Sequence, residues 1–262
     1  MTTEELRESL LMKPKNGLRQ LTAQQREEME TYCKGYMAFI DACKTEREAT
    51  AWAVREAEKR GYRPFVPGMD VKPGDKIYYN NRDKAIALAV IGSESLAKGI
   101  NICAAHVDSP RMDIKPNPLY EDGEIAYFKT HYYGGIKKYQ WPTIPLALHG
   151  VVYRKDGTVV TITIGEDDND PVLMVTDLLI HLAADQMQKT LAKGIEGEQL
   201  NVLLGTEPLE GEGADLVKLN IMKLLNEKYG LIESDFLSAE LTVVPAGRCR
   251  EVGLDRSLLG AY

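Results

Sequence analysis

The stretch NICAAHVDSP, residues 101–110, places a histidine and an aspartate two positions apart at the end of an apolar run. On a β-strand, residues i and i+2 project from the same face. A strand over GINICAAHVD therefore brings His106 and Asp108 together, and Ser109-Pro110 ends it, leaving the pair at the C-terminal tip where α/β sheets gather their sites. Neutral imidazole is a good zinc ligand, and a carboxylate hydrogen-bonded to its other ring nitrogen fixes the tautomer and raises basicity. The bland alternative is a histidine satisfied at a strand end. The His-x-Asp spacing by itself leaves both open.

Before this stretch the chain reads first as helix. LTAQQREEMETYCKGYMAFIDACK is rich in good helix formers and spaces Tyr32, Tyr36, Phe39 and Ile40 onto one face. A second helix starts at Thr45, whose hydroxyl forms a capping box with Glu48, and Gly61 stops it. DKIYYNN and KAIALAVIG are then short strands on either side of a turn.

After Pro110 the texture changes. PRMDIKPNPLYEDGE concentrates proline and turn residues, which predicts a break in regular structure and a domain boundary. TIPLALHGVVYRKDGTVVTITIGED predicts two strands around a KDG turn, with Val159, Thr161 and Thr163 alternating against Val160, Ile162 and Ile164. Two helices are expected next. TDLLIHLAADQMQKTLA would be capped by Thr176 or Asp177, and DLVKLNIMKLLNEKYG carries Leu216, Leu219, Met222 and Leu225 at helical spacing before Gly230. AELTVVPAG follows as a strand, and His149, on its own strand, reads as structural.

Composition excludes several partners. A formal charge of −7 and the lack of a basic cluster argue against nucleic acid and anionic membrane surfaces. No stretch approaches the roughly 20 apolar residues that span a bilayer, and MTTEELRESLLMKPKNG is too acidic and too polar for an export signal. Cys33, Cys43, Cys103 and Cys249 form no Cys-x-x-Cys pair, and the first two are too far apart on one helix to bridge, so a reducing cytoplasm is the expected compartment.

A longer pattern narrows the reading. AAHVDSPRMDIKPNPLYED, FKTHYYGGIKKYQWPTIPLALHGVV, DLLIHLAADQ and VPAGRCREVGLDRSLLGAY occur in that order, and together they resemble the aspartyl aminopeptidase and vacuolar aminopeptidase I family of zinc exopeptidases, in its bacterial form. The resemblance implies an α/β fold: the N-terminal part of a zinc-exopeptidase catalytic domain over residues 1–110, an inserted β-rich dimerisation domain over 111–247, and a return to the catalytic domain over 248–262. It implies a zinc-dependent aminopeptidase acting on peptides, with two zinc ions in the complete enzyme. Dimers would assemble into a dodecamer. His106 matches the family's first metal ligand and Asp108 the aspartate that orients it. His181 matches a histidine that reaches into a neighbouring subunit's active site; after His131, the Gly134-Gly135 pair fits either backbone approaching something closely or a plain turn.

The same resemblance implies that the bridging aspartate, a Glu-Glu pair and the remaining ligands follow the position matched by Tyr262. The 262 residues are thus expected to be truncated before that motif and inactive by themselves. Asp255 reads as structural, and Glu207, Glu210, Glu212 and Asp215 as an exposed loop and a helix cap. A different class of function, a non-catalytic oligomerisation module pairing with full-length subunits, stands as the alternative.

Overall fold

A computed structural model describes residues 1–262. The chain divides into two compact units, Met1–Ala38 and Phe39–Tyr262. In the first, α1 (Thr3–Leu10) opens with a capping box between Thr2 and Glu5 and buries no residue. Most of α2 (Ala23–Ala42) belongs to this unit, with Tyr32 and Tyr36 exposed rather than on a packed face.

In the second unit α3 (Glu46–Lys59) starts where Thr45 predicts it. The Thr45 hydroxyl accepts from the Glu48 amide, and the Glu48 carboxylate accepts from the Thr45 amide in return. Gly61, at φ +81°, lets the chain leave the helix in a conformation that other residues adopt at a cost. A small sheet follows. β1 (Arg63–Pro64) runs parallel to β2 (Lys76–Asn81), which forms a hairpin with β3 (Ala85–Val90).

The main sheet has six antiparallel strands in the order β7-β6-β9-β4-β5-β8. They are β4 (Arg111–Asp122), β5 (Ile125–Tyr133), β6 (Leu146–Tyr153), β7 (Val159–Ile164), β8 (Val202–Gly205) and β9 (Ala239–Pro245). The predicted β6–β7 hairpin is present, with Gly157 at φ +85° in its turn. Val160, Ile162 and Ile164 face inward and Val159, Thr161 and Thr163 outward, as the alternation requires.

The proline-rich run corrects the expectation of broken structure, because it lies inside β4. Pairing to β5 jumps from Ile114↔Thr130 to Leu119↔Phe128, and Pro116 and Pro118 fall in the resulting bulge, where neither has to donate to the ladder. β4 thus keeps ladder pairing on both sides of a stretch that propensity alone would call irregular.

A single apolar core is built on this sheet from Met112, Phe128, Leu148, Ile162, Val202, Leu225, Phe236 and Val243. Phe128 meets Phe236 edge-on with centroids 5.4 Å apart. Helix α6 (Leu216–Tyr229) follows the one-turn helices α4 (Ala184–Met187) and α5 (Leu191–Gly194). It buries Val217 and Leu225, with Ile221 half-buried between them, while the expected Leu219 is exposed. Of the predicted row, Leu225 is buried and Met222 packs against the core, so only Leu219 departs from it, and Glu121 of β4 accepts from the Lys218 amide in the first turn. Asp215 occupies the N-cap position in a left-handed conformation without a side-chain cap bond, so it is not the cap expected of it.

The other predicted helix, TDLLIHLAADQMQKTLA, is absent. It is replaced by a 3-10 turn at Ile180–Leu182 and the single turns α4 and α5. Leu179, Ile180, Leu182, Met187 and Leu191 are exposed. Helix nucleation is unfavourable, and a short helix is normally carried by packing of its apolar face; here that face packs on nothing. β10 (Arg250–Val252) and β11 (Leu258–Gly260) form a small ribbon. No helix is long and apolar enough to cross a membrane.

Candidate active site

Residues 99–110 lead from a 3-10 turn at Leu96–Lys98 into β4 without pairing to any strand. The predicted strand over GINICAAHVD is therefore not formed. Ile100, Ile102 and Val107 are exposed, since an extended segment becomes a strand only when a neighbour accepts its backbone bonds.

The two-residue spacing nevertheless does what was expected of it. His106 Nδ1 lies 2.8 Å from the Asp108 carbonyl oxygen and 3.2 Å from Asp108 Oδ1. Both partners only accept, so Nδ1 is the nitrogen that donates. Nε2 is left free on a side chain that is 83% exposed.

The other Asp108 oxygen, Oδ2, accepts from the Tyr133 hydroxyl at 2.6 Å. That bond, followed by Asp108's own backbone amide and then the contact with His106, holds the Asp108 carboxyl below the usual carboxylate range, and the same bond raises the Tyr133 phenol. The Arg111 guanidinium lies over the Tyr133 ring at 4.3 Å and pairs with Asp113 at 2.7 Å and Glu46 at 3.4 Å. Tyr262 donates to the Pro110 carbonyl at 2.6 Å. His106 and Asp108 line a cavity of about 170 Å³ together with Phe39, Ile40, Cys43, Lys44, Ala49, Val107, Ser109 and Tyr262. A larger cavity of about 490 Å³ between α6 and the sheet is apolar and contains none of the candidate residues.

These residues fit a metal ligand as far as one imidazole can: a free, exposed Nε2 on a ring whose other nitrogen is held by acceptors. No three His, Cys, Asp or Glu side chains are grouped so that they could hold a metal ion. His181 sits exposed in the Ile180–Leu182 turn and does not line the His106 cavity. His131 stacks on Tyr132 at 5.6 Å, and Asp255 accepts from the Ser257 amide in a local turn.

The structural reading of His149 opens onto a buried charge cluster that no sequence pattern announces. His149 of β6 is 4% exposed and lies between two carboxylates, with Nδ1 2.8 Å from Glu48 and Nε2 3.0 Å from Glu166. Glu166 also pairs with Lys44 at 2.6 Å, and Lys44 donates to the carbonyls of Pro245 and Gly247. Burial alone would lower the His149 pKa, but the two carboxylates outweigh it and raise it to about 9. Burial likewise pushes Glu48 and Glu166 up, and the cations beside them win and lower both. Only Glu48 had a sequence signal, as the capping-box glutamate. Nothing in the spacing of 44, 48, 149 and 166 announces their meeting.

The family profile of the aminopeptidase I zinc metalloproteases (M18) matches residues 39–262. A probable M18 family aminopeptidase 1 of Clostridium acetobutylicum is 51% identical over 258 residues, covering 97% of this chain and 56% of that protein. The crystal structure of an M18 aminopeptidase from Thermotoga maritima superposes with a TM-score of 0.89 at 45% identity, over 96% of this chain and 55% of that one. The mApe1 dodecamer of S. cerevisiae shares the fold at 15% identity, with a TM-score of 0.64 over 88% of this chain and 52% of that one. The chain thus spans about half the length of the relatives it matches.

Proposed function

The chain belongs to the aminopeptidase I zinc metalloprotease family, and on that premise we propose that the protein is a zinc-dependent aminopeptidase that removes N-terminal residues from peptides. His106 is its metal ligand and Asp108 the carboxylate that orients the ligand. His106 would hold zinc, one of two ions on the family's pattern, and the metal would supply a bound water of lowered pKa and polarisation of the scissile carbonyl. The observation that carries this reading is the division of labour on one imidazole: Nδ1 is held by two acceptors of Asp108 while Nε2 faces open space.

The rest of the reading concerns assembly. Residues 111–247, which contain the six-stranded sheet, act as the inserted dimerisation domain between catalytic segments 1–110 and 248–262. His181, flanked by the exposed Leu179, Ile180 and Leu182, serves a neighbouring copy's active site in a homo-oligomer. The four cysteines are free thiols, in keeping with a cytoplasmic location. Isolated, the 262-residue chain does not hydrolyse peptides, because it offers no convergent set of ligands.

The test is to capture the protein from its own cells with an antibody against residues 111–247 and assay aminoacyl anilides. Activity lost to a chelator and restored by zinc is expected. Captured protein without it overturns the reading in favour of a non-catalytic oligomerisation module.

A further inference from the structure

We infer that Tyr133 is a positioning residue for the metal site, holding Asp108 so that its carboxylate stays on the His106 ring. This rests on the reading of His106 as a ligand. The β4–β5 register pairs Arg111 with Tyr133, which puts the tyrosine beside the three residues that lead from Asp108 into β4. Gly134, at φ +78°, turns the chain directly against Pro110, where an added Cβ would lie 3.5 Å from the proline. The end of β5 is thereby seated on the segment that carries the ligand.

Asp108 needs such a partner. Its contact with the imidazole is long, 3.2 Å through Oδ1, and its side chain is more than a third exposed. The 2.6 Å bond from Tyr133 to Oδ2 is the shorter and restrains the carboxylate's rotation. Tyr133 is restrained in turn by the Arg111 guanidinium on its ring, and Arg111 by Asp113 and Glu46. A relay therefore runs from α3 through β4 and β5 to the imidazole. The β-rich unit contributes to the metal site itself, not only to assembly.

The tautomer of His106 does not depend on this relay, because the Asp108 carbonyl also holds Nδ1. What depends on it is the aim and basicity of the ring, and hence its affinity for metal. Partners at this remove from a metal typically change affinity by about 10–100-fold. The variant is Tyr133→Phe, which keeps the ring over Arg111 and removes only the hydroxyl.

The experiment follows the ring nitrogens of His106 by ¹⁵N NMR while zinc alone is added to the 262-residue chain, at a pH where the imidazole is neutral. Expected in the unaltered chain are an Nδ1–H tautomer and a zinc-dependent shift of Nε2. In Tyr133→Phe the same tautomer and an unchanged melting temperature are expected, with at least tenfold more zinc needed for half the shift. Equal zinc dependence in both chains overturns the role of Tyr133 and leaves His106 as a ligand. Absence of any shift in the unaltered chain overturns the ligand assignment, and the positioning role with it.

Discussion

His149 and His106 occupy apolar runs of similar texture, LALHGVV and CAAHVD, and end in opposite surroundings. The first lies in the six-stranded sheet between β9 and β7, with both ring nitrogens taken by carboxylates. The second lies in an unpaired segment with one nitrogen taken and one free. With both nitrogens engaged and its side chain buried, His149 has none left for a metal, whereas a single engaged nitrogen leaves His106 equipped to ligate. What separates them is whether the flanking backbone found a ladder, not the residues beside them.

The comparison is sharpened most by changes within the sheet. Phe128→Ala removes a fully buried ring between β5 and Phe236 and is expected to lower stability by about 3–5 kcal/mol in urea unfolding. Gly150→Ala comes next. Gly150, at φ +142°, packs so closely on β9 that a Cβ would lie 2.0 Å from the Glu240 carbonyl oxygen, so the seam must open, at a cost near the upper end of the overpacking range, about 3 kcal/mol.

The His149 cluster predicts a pH profile. A histidine raised from 6.5 to about 9 contributes fully below the lower value, and its contribution is lost as pH rises through the higher one. Glu48 and Glu166, held below their ordinary 4.5, contribute above it and are lost as pH falls through their depressed values. Urea midpoints should therefore be highest between pH 4.5 and 6.5 and decline toward pH 9. His149→Gln should remove the alkaline decline, and its persistence in that variant would separate the decline from His149. The smallest effect belongs to the unpaired segment: Ile102, 76% exposed, is expected to tolerate Ser within about 0.5 kcal/mol. A loss of 2 kcal/mol there would mean that the segment is packed in solution and the contrast false.

Local chemistry was the readable part of this sequence. The Thr45–Glu48 capping box, the KDG hairpin and the strand AELTVVPAG each depend on a few adjacent residues and formed as written. The His106–Asp108 pair was legible for the same reason, since the geometry needs only two residues and an extended backbone between them. Tyr133 was not, because it reaches Asp108 through strand register, which no local pattern encodes. The proline run in β4 misled because a bulge excuses prolines from donating. The stretch from 176 to 192 misled because its apolar periodicity is real while its apolar side chains stay exposed. Helical spacing reports a face, and a face becomes a helix only when something covers it.

The order of the large sheet also sets a timetable. β9, residues 239–245, lies between β6 and β4 although it is the last of the six in sequence. During synthesis the β4–β5 and β6–β7 hairpins can each zip locally, but they remain two separate ribbons with open edges until the ribosome has released residue 245. Closure is then a single long-range event, of the kind that folds slowly and leaves apolar edges exposed in the meantime. Nascent chains paused before β9 are where self-association would begin.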